Sequence, residues 1–161
     1  MSNPCFVDRL EIEHNRLMEL ILDPDNISTC PCCTQEVNSY KTSIHQSMGK
    51  VLVNLYWLTS RRGDGYYQTS EAGIYTIVCG DFTKFKFWGF IDPCPVNENP
   101  KLKSSGKWRI TGAGKEFIEG RIEVPKTAII FNNKLIRHTG DKVSISDVLK
   151  TPFDYREINR N

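Results

Sequence analysis

Over residues 39–62 the apolar side chains Tyr40, Ile44, Met48, Val51, Leu52, Leu55 and Leu58 recur three or four positions apart. On a helix of about 3.6 residues per turn they form one stripe. Gly63 follows where a helix ends most easily, and Arg61 and Arg62 suit the negative end of its dipole. The pattern predicts a helix over 39–62, long enough to be the spine of the fold. Whatever else the chain builds has to cover that stripe.

A second amphipathic helix is expected over 5–22. Val7, Leu10, Leu17 and Ile21 share a face with His14, and Asp23-Pro24-Asp25-Asn26 stops it. His14 reads either as a metal ligand or proton shuttle, or as an ordinary partly buried helix histidine.

Beyond Gly63 the signals are shorter. Tyr66-Tyr67-Gln68-Thr69 suits a strand, and residues 70–79 read equally as helix or strand. Asp81 is placed to cap a short helix over 82–88, with Phe82, Phe85 and Trp88 inward and Phe87 left for the surface. Phe90-Ile91 continues as a strand. Residues 92–107, with three prolines, form a long loop or hairpin tip, and Trp108-Arg109-Ile110 is the returning strand. Thr111 caps a helix through Glu119 with Phe117 and Ile118 inward. A hairpin is expected from 127–131 and 134–137 around Asn132-Asn133. Lys142-Val143-Ser144-Ile145 adds a strand, Ser146 caps a last turn to Lys150, and the polar tail 151–161 is expected to be loose. The expected class is therefore α+β, in three parts: an N-terminal helix with a Cys-rich turn (1–38), a central domain (39–120), and a C-terminal hairpin extension with its tail (121–161).

With 161 residues, 39% of them hydrophobic, the chain can bury a core, as one ordinary domain or a small domain with an appendage. No internal repeat occurs. Mean hydropathy is −0.40, and no window of about 18 apolar residues is present. Met1-Ser2-Asn3-Pro4-Cys5 is not a basic segment leading into an apolar one. The expectation is a cytoplasmic protein, away from membranes, with reduced cysteines.

Six cysteines then raise a question of thiol or metal chemistry. Cys30, Cys32 and Cys33 are too close together to staple distant loops. Cys30 and Cys33 have the C-x-x-C spacing of a zinc knuckle, but a structural zinc takes four ligands and no second such pair exists. Cys32 or His45 would have to join them through the fold, or else Cys5, Cys79, Cys94 or His14. Plain buried thiols are the competing reading. A redox pair is another, and it wants a βαβ context that the pattern lacks.

The net charge of +2 hides an asymmetry. Residues 1–39 carry two bases and seven acids, a balance of −5; residues 40–161 carry nineteen bases and twelve acids, a balance of +7. A basic body is compatible with an anionic partner. Lys101, Lys103, Lys107 and Arg109 crowd the loop before and around Trp108, and Thr83, Lys84 and Lys86 lie off the aromatic face of the 82–88 helix. A basic hairpin tip suits phosphate or minor-groove contact, and a short helix carrying lysines suits a major groove. The same lysines could equally just solvate a loop.

The segments 81–92, DFTKFKFWGFID, and 106–120, GKWRITGAGKEFIEG, resemble winged helix-turn-helix regulators of the multiple-antibiotic-resistance regulator type. In that family a recognition helix ends in a Gly-hydrophobic-hydrophobic-acid step, here Gly89-Phe90-Ile91-Asp92. The wing's second strand runs into a helix through a hydrophobic-Thr-x-x-Gly step, here Ile110-Thr111-Gly112-Ala113-Gly114. The resemblance spans roughly residues 40–120. It implies a winged-helix core, double-stranded DNA as partner, transcription regulation without catalysis, and a homodimer made through the 39–62 or 5–22 helix. The run Ser43-Ile44-His45-Gln46-Ser47-Met48 is also similar to small bacteriophage proteins of uncharacterised function, which implies a host cytoplasm as location. The alternative in that direction is a module that inhibits or redirects a host protein through an aromatic surface. Signatures of catalysis are missing: Gly112-Ala113-Gly114-Lys115 lacks phosphate-loop spacing, and neither Gly-x-Ser-x-Gly nor His-Glu-x-x-His occurs.

Overall fold

In a computed structural model, the described residues are 6–21, 28–30, 33–68, 70–71, 79–95 and 105–159. The fold is mixed α and β. In chain order the main elements are α1 (Phe6–Ile21), β1 (Ser28–Thr29), β2 (Glu36–Val37), β3 (Tyr40–Ser43), α2 (Gln46–Arg62), β4 (Tyr67–Gln68), α3 (Cys79–Phe82), β5 (Ile91–Pro93), β6 (Lys107–Ile110), α4 (Gly112–Ile118), β7 (Val124–Phe131), β8 (Lys134–Val143) and α5 (Ile145–Leu149). Two 3-10 turns, Thr83–Trp88 and Tyr155–Asn159, complete them. No helix among the described residues is long and apolar enough to cross a membrane.

The chain divides into two compact units. One takes residues 1–42 and 127–139; the other takes 43–126 and 140–161. In the larger unit α2 is the spine, as its stripe demands. Met48, Val51, Leu52, Leu55 and Leu58 are all buried. Gly49 lets α5 come close: a β-carbon there would lie 2.7 Å from Val148 Cγ1, and Gln46 Nε2 donates to the Leu149 carbonyl at 2.8 Å.

The helix is shorter than the apolar stripe suggests. Residues 40–43 are a strand, β3, next to β7 in a sheet of order β3-β7-β8. Ile44 donates its N–H to the Lys126 carbonyl at 2.8 Å, so the backbone ahead of α2 is committed to a strand rather than to a helical turn. Tyr40 is exposed, whereas Ile44 is buried from just outside the helix.

β7 and β8 are joined at Asn132 and Asn133, whose φ of 47° and 60° give the left-handed pair of a tight hairpin turn. The hairpin is longer than the sequence suggests, and β8 absorbs the separate strand expected over 142–145. Ala128, Ile129 and Ile130 are buried in succession, as a strand covered on both faces requires. Ser144, not Ser146, caps the last helix. It forms a capping box in which its N–H donates to Asp147 Oδ2 at 2.8 Å and its hydroxyl accepts from the Asp147 N–H at 3.3 Å. After α5, Tyr155–Asn159 forms a 3-10 turn. Tyr155 sets its ring edge-on to Tyr56, with centroids 6.5 Å apart.

A second three-stranded sheet has the order β4-β6-β5, antiparallel throughout, with Tyr67 opposite Trp108 and Ile91 opposite Ile110. Its core is aromatic. Phe82 meets Trp108 edge-on at 6.2 Å, Phe85 meets Phe90 at 5.6 Å, and Phe90 stacks on Phe117 at 4.7 Å. Trp88 buries its ring and donates Nε1 to the Pro125 carbonyl at 2.8 Å, which satisfies its one polar group.

Candidate functional site

The candidate site is the layer β4-β6-β5 with the turn 83–88 before it and α4 after it. α3 runs into a 3-10 turn, so Asp81 sits inside the first helical piece rather than capping a single α-helix over 82–88. The reason lies in the spacing of the rings. Phe82, Phe85 and Trp88 are three apart, and about three residues per turn stacks them in one row. All three are buried. Phe87 is buried too, 9% exposed, with Lys86 Nζ 4.9 Å from its ring centroid. The expectation of a surface Phe87 is thus corrected.

Gly89 ends the turn in the left-handed region at φ 69°, and the chain enters β5. At the far end of β6, Thr111 holds the junction. Its hydroxyl donates to the Gly89 carbonyl and accepts from the Gly114 N–H at 3.1 Å, capping α4. The step Gly89-Phe90-Ile91-Asp92 and the step Ile110-Thr111-Gly112-Ala113-Gly114 are therefore fastened to each other.

Thr83, Lys84 and Lys86 lie on the partly exposed side of the 83–88 turn, and Lys107 and Arg109 point outward from β6. Lys101 and Lys103 lie outside the described residues, as does Cys32. The basic residues are not equally available. Lys84 Nζ is 2.8 Å from Asp81 Oδ1. Arg109 reaches Asp92 Oδ2 at 3.0 Å and lies over the Tyr66 ring, 5.2 Å from its centroid. These partners were not legible as such in the sequence; Asp92 sits seventeen positions from Arg109 and meets it only through the β5–β6 pairing.

A second cluster escaped the sequence reading. At the start of α2, His45 Nδ1 is 2.7 Å from Ser47 Oγ, and His45 Nε2 is 3.4 Å from Asp81 Oδ2. The hydrogen bond from Lys84, with a smaller one from His45, holds the Asp81 carboxyl below the usual carboxylate range. Both ring nitrogens of His45 thus have a partner within this cluster. Among the described residues no three His, Cys, Asp or Glu side chains are grouped to hold a metal. His14 is exposed on α1.

Cys30 and Cys33 sit on the hairpin made by β1 and β2, where Ser28 pairs with Val37 and Thr29 with Glu36. The loop is closed by Cys30 N–H to the Gln35 carbonyl at 2.8 Å and Thr34 N–H to the Cys30 carbonyl at 2.9 Å. Cys30 is half-buried and Cys33 exposed, with Cys33 Sγ 3.8 Å from Gln35 Oε1.

Compared with family models, with curated proteins and with solved structures, the chain matches none.

Proposed function

We propose that the protein binds double-stranded DNA through a winged-helix core, without catalysis, as a regulator of transcription. The observation that carries this reading is the sheet order β4-β6-β5, with α2 ahead of it, the helical piece 79–88 between β4 and β5, and α4 directly after β6. In a winged helix the first short strand pairs with the last strand of the wing, and the helix before the wing faces the groove. On this reading Thr83, Lys84 and Lys86 address the groove, and Lys101, Lys103, Lys107 and Arg109 address phosphates. The short 3-10 form of 83–88 and the burial of all its rings leave little surface for reading bases, so backbone contact dominates. A second copy, paired through a helix, would double that contact.

The test is duplex binding as a function of salt. Six cations at the interface give a slope of about −5 in log K against log salt. Binding that is absent at low salt, or indifferent to salt, sinks the proposal.

A further inference from the structure

We propose that His45 is a pH sensor that governs how firmly Asp81 holds Lys84: as the imidazole gains a proton it draws the Asp81 carboxylate to itself, and the Lys84 ammonium is released to an anion. The anion, a DNA phosphate, rests on the reading given above; the sensor itself is a property of the free chain. One carboxylate has two claimants. Asp81 Oδ1 lies 2.8 Å from Lys84 Nζ, and Asp81 Oδ2 lies 3.4 Å from His45 Nε2. The first distance is that of a close charged pair. The second is longer than the roughly 2.7–2.9 Å of an ionised N–H on a carboxylate, so this contact has room to tighten once the ring is charged. His45, Asp81 and Lys84 all belong to the larger unit.

The cluster accommodates both charge states of the ring. Ser47 Oγ lies 2.7 Å from His45 Nδ1, and a hydroxyl donates to a bare nitrogen or accepts from a protonated one. Asp81 stays ionised across the histidine range, because the Lys84 hydrogen bond holds its carboxyl below the usual carboxylate values. His45, Asp81 and Lys84 each keep part of their side chain in solvent, open to protons and to a phosphate. Few other charges stand near. Lys50 is the next one along α2, and β7 has only Lys126, whose carbonyl accepts from the Ile44 N–H. α5, packed on Gly49, has only Asp147, and Ser144 donates to that carboxylate twice. Residues 72–78 carry no charged side chain. Asp81 and Lys84 cancel while His45 is neutral, and protonation leaves the cluster with one net positive charge. An imidazole ordinarily makes this change between about pH 5 and 8.

The experiment follows the full chain, isotope-labelled and free of DNA, by NMR from about pH 8 to pH 5. The Lys84 side-chain signals should move with the same midpoint as the His45 ring signals, and in His45→Gln they should stay still. His45 precedes α2 and makes no side-chain cap bond, so its replacement leaves the helix start intact. Duplex binding is then measured at both ends of the range. The salt slope of the wild type should steepen by about one at the lower pH, and that of His45→Gln should not. Asp81→Asn, which leaves the cluster with one positive charge at every pH, should bind at pH 8 about as tightly as the wild type does at pH 5. His138→Gln, in the smaller unit, should keep the wild-type pH response. Lys84 signals that ignore the titration of His45 overturn the proposal. So does a pH response of binding that survives in His45→Gln, which leaves the DNA reading standing. A wild type that binds no duplex at either pH removes the DNA reading, and the titration of the free chain still decides the sensor.

Discussion

Gly114 lies so close to Phe90 that a β-carbon on it would collide with the Phe90 carbonyl oxygen and come within 2.8 Å of Ile110 Cγ1. The first turn of α4 is thereby pressed onto the strand that follows the 83–88 turn. A backbone carbonyl cannot swing aside as a side-chain tip can. Gly114→Ala should cost about 1–3 kcal/mol by overpacking. Urea unfolding of the variant checks this; a midpoint unchanged from wild type would mean that α4 docks less tightly than described. Gly112, beside which a β-carbon would meet nothing within 4 Å, is the control.

Arg109 is held by Asp92, which also keeps its guanidinium firmly protonated. If Arg109 touches phosphate, Asp92 competes with DNA for it. Asp92→Asn should therefore tighten duplex binding at low salt, and Arg109→Ala should weaken it and reduce the salt slope by about one. Lys107→Ala should weaken binding to all sequences alike. Equal, negligible effects from all three would remove β6 from the interface.

Tyr56 is buried under Tyr155 and donates its hydroxyl to Glu119 Oε1 at 2.9 Å. Burial first, and then the nearby carboxylate, push its phenol up to about 12. A raised value favours the neutral form in the fold. The stability this contributes is complete below the ordinary tyrosine value near 10 and is lost as pH rises from about 10 towards 12. The loss should approach about 2–3 kcal/mol, and unfolding of Tyr56→Phe should depend less on pH across that window. Identical curves for the two proteins would refute the assignment.

The other end of the pH scale is read by Asp147. The Ser144 hydroxyl and N–H both donate to its carboxylate and hold it below the usual range. Its contribution is present above the ordinary value near 4 and is lost as pH falls through the lower folded value. Acid unfolding of Asp147→Asn should start from lower stability and change less with pH. Ser144→Ala should cost about 1 kcal/mol at neutral pH. Thermal melts between pH 2 and 6 would expose the error if the wild-type and Asp147→Asn curves ran parallel.

The α2 stripe, Thr111 as a cap and the turn at Asn132-Asn133 were legible because each rests on neighbours in sequence. A helix face, a cap and a tight turn are decided within about a dozen residues. β3 was hidden by the same logic. Tyr40 and Ile44 continue the helical spacing, and only β7, far along the chain, overrides it. The ring row Phe82, Phe85, Trp88 announced burial, but three-residue spacing fits a 3-10 turn as well as an α-helix, and Phe87 gave no sign of being enclosed. In the candidate site the residue types could be named, while their pairing could not: Asp92 with Arg109, and His45 with Asp81, depend on elements that meet only in the folded chain.

The place of β3 beside β7 also sets an order in time. A nascent chain releases Tyr40–Ser43 early, and its neighbouring strand starts only at Val124. Helix α2 can form in the interval, because its bonds are local, but β3 has to wait. A ribosome that pauses before residue 124 displays a strand with open hydrogen-bonding groups and no sheet to join, the kind of surface that chaperones hold and that neighbouring chains capture.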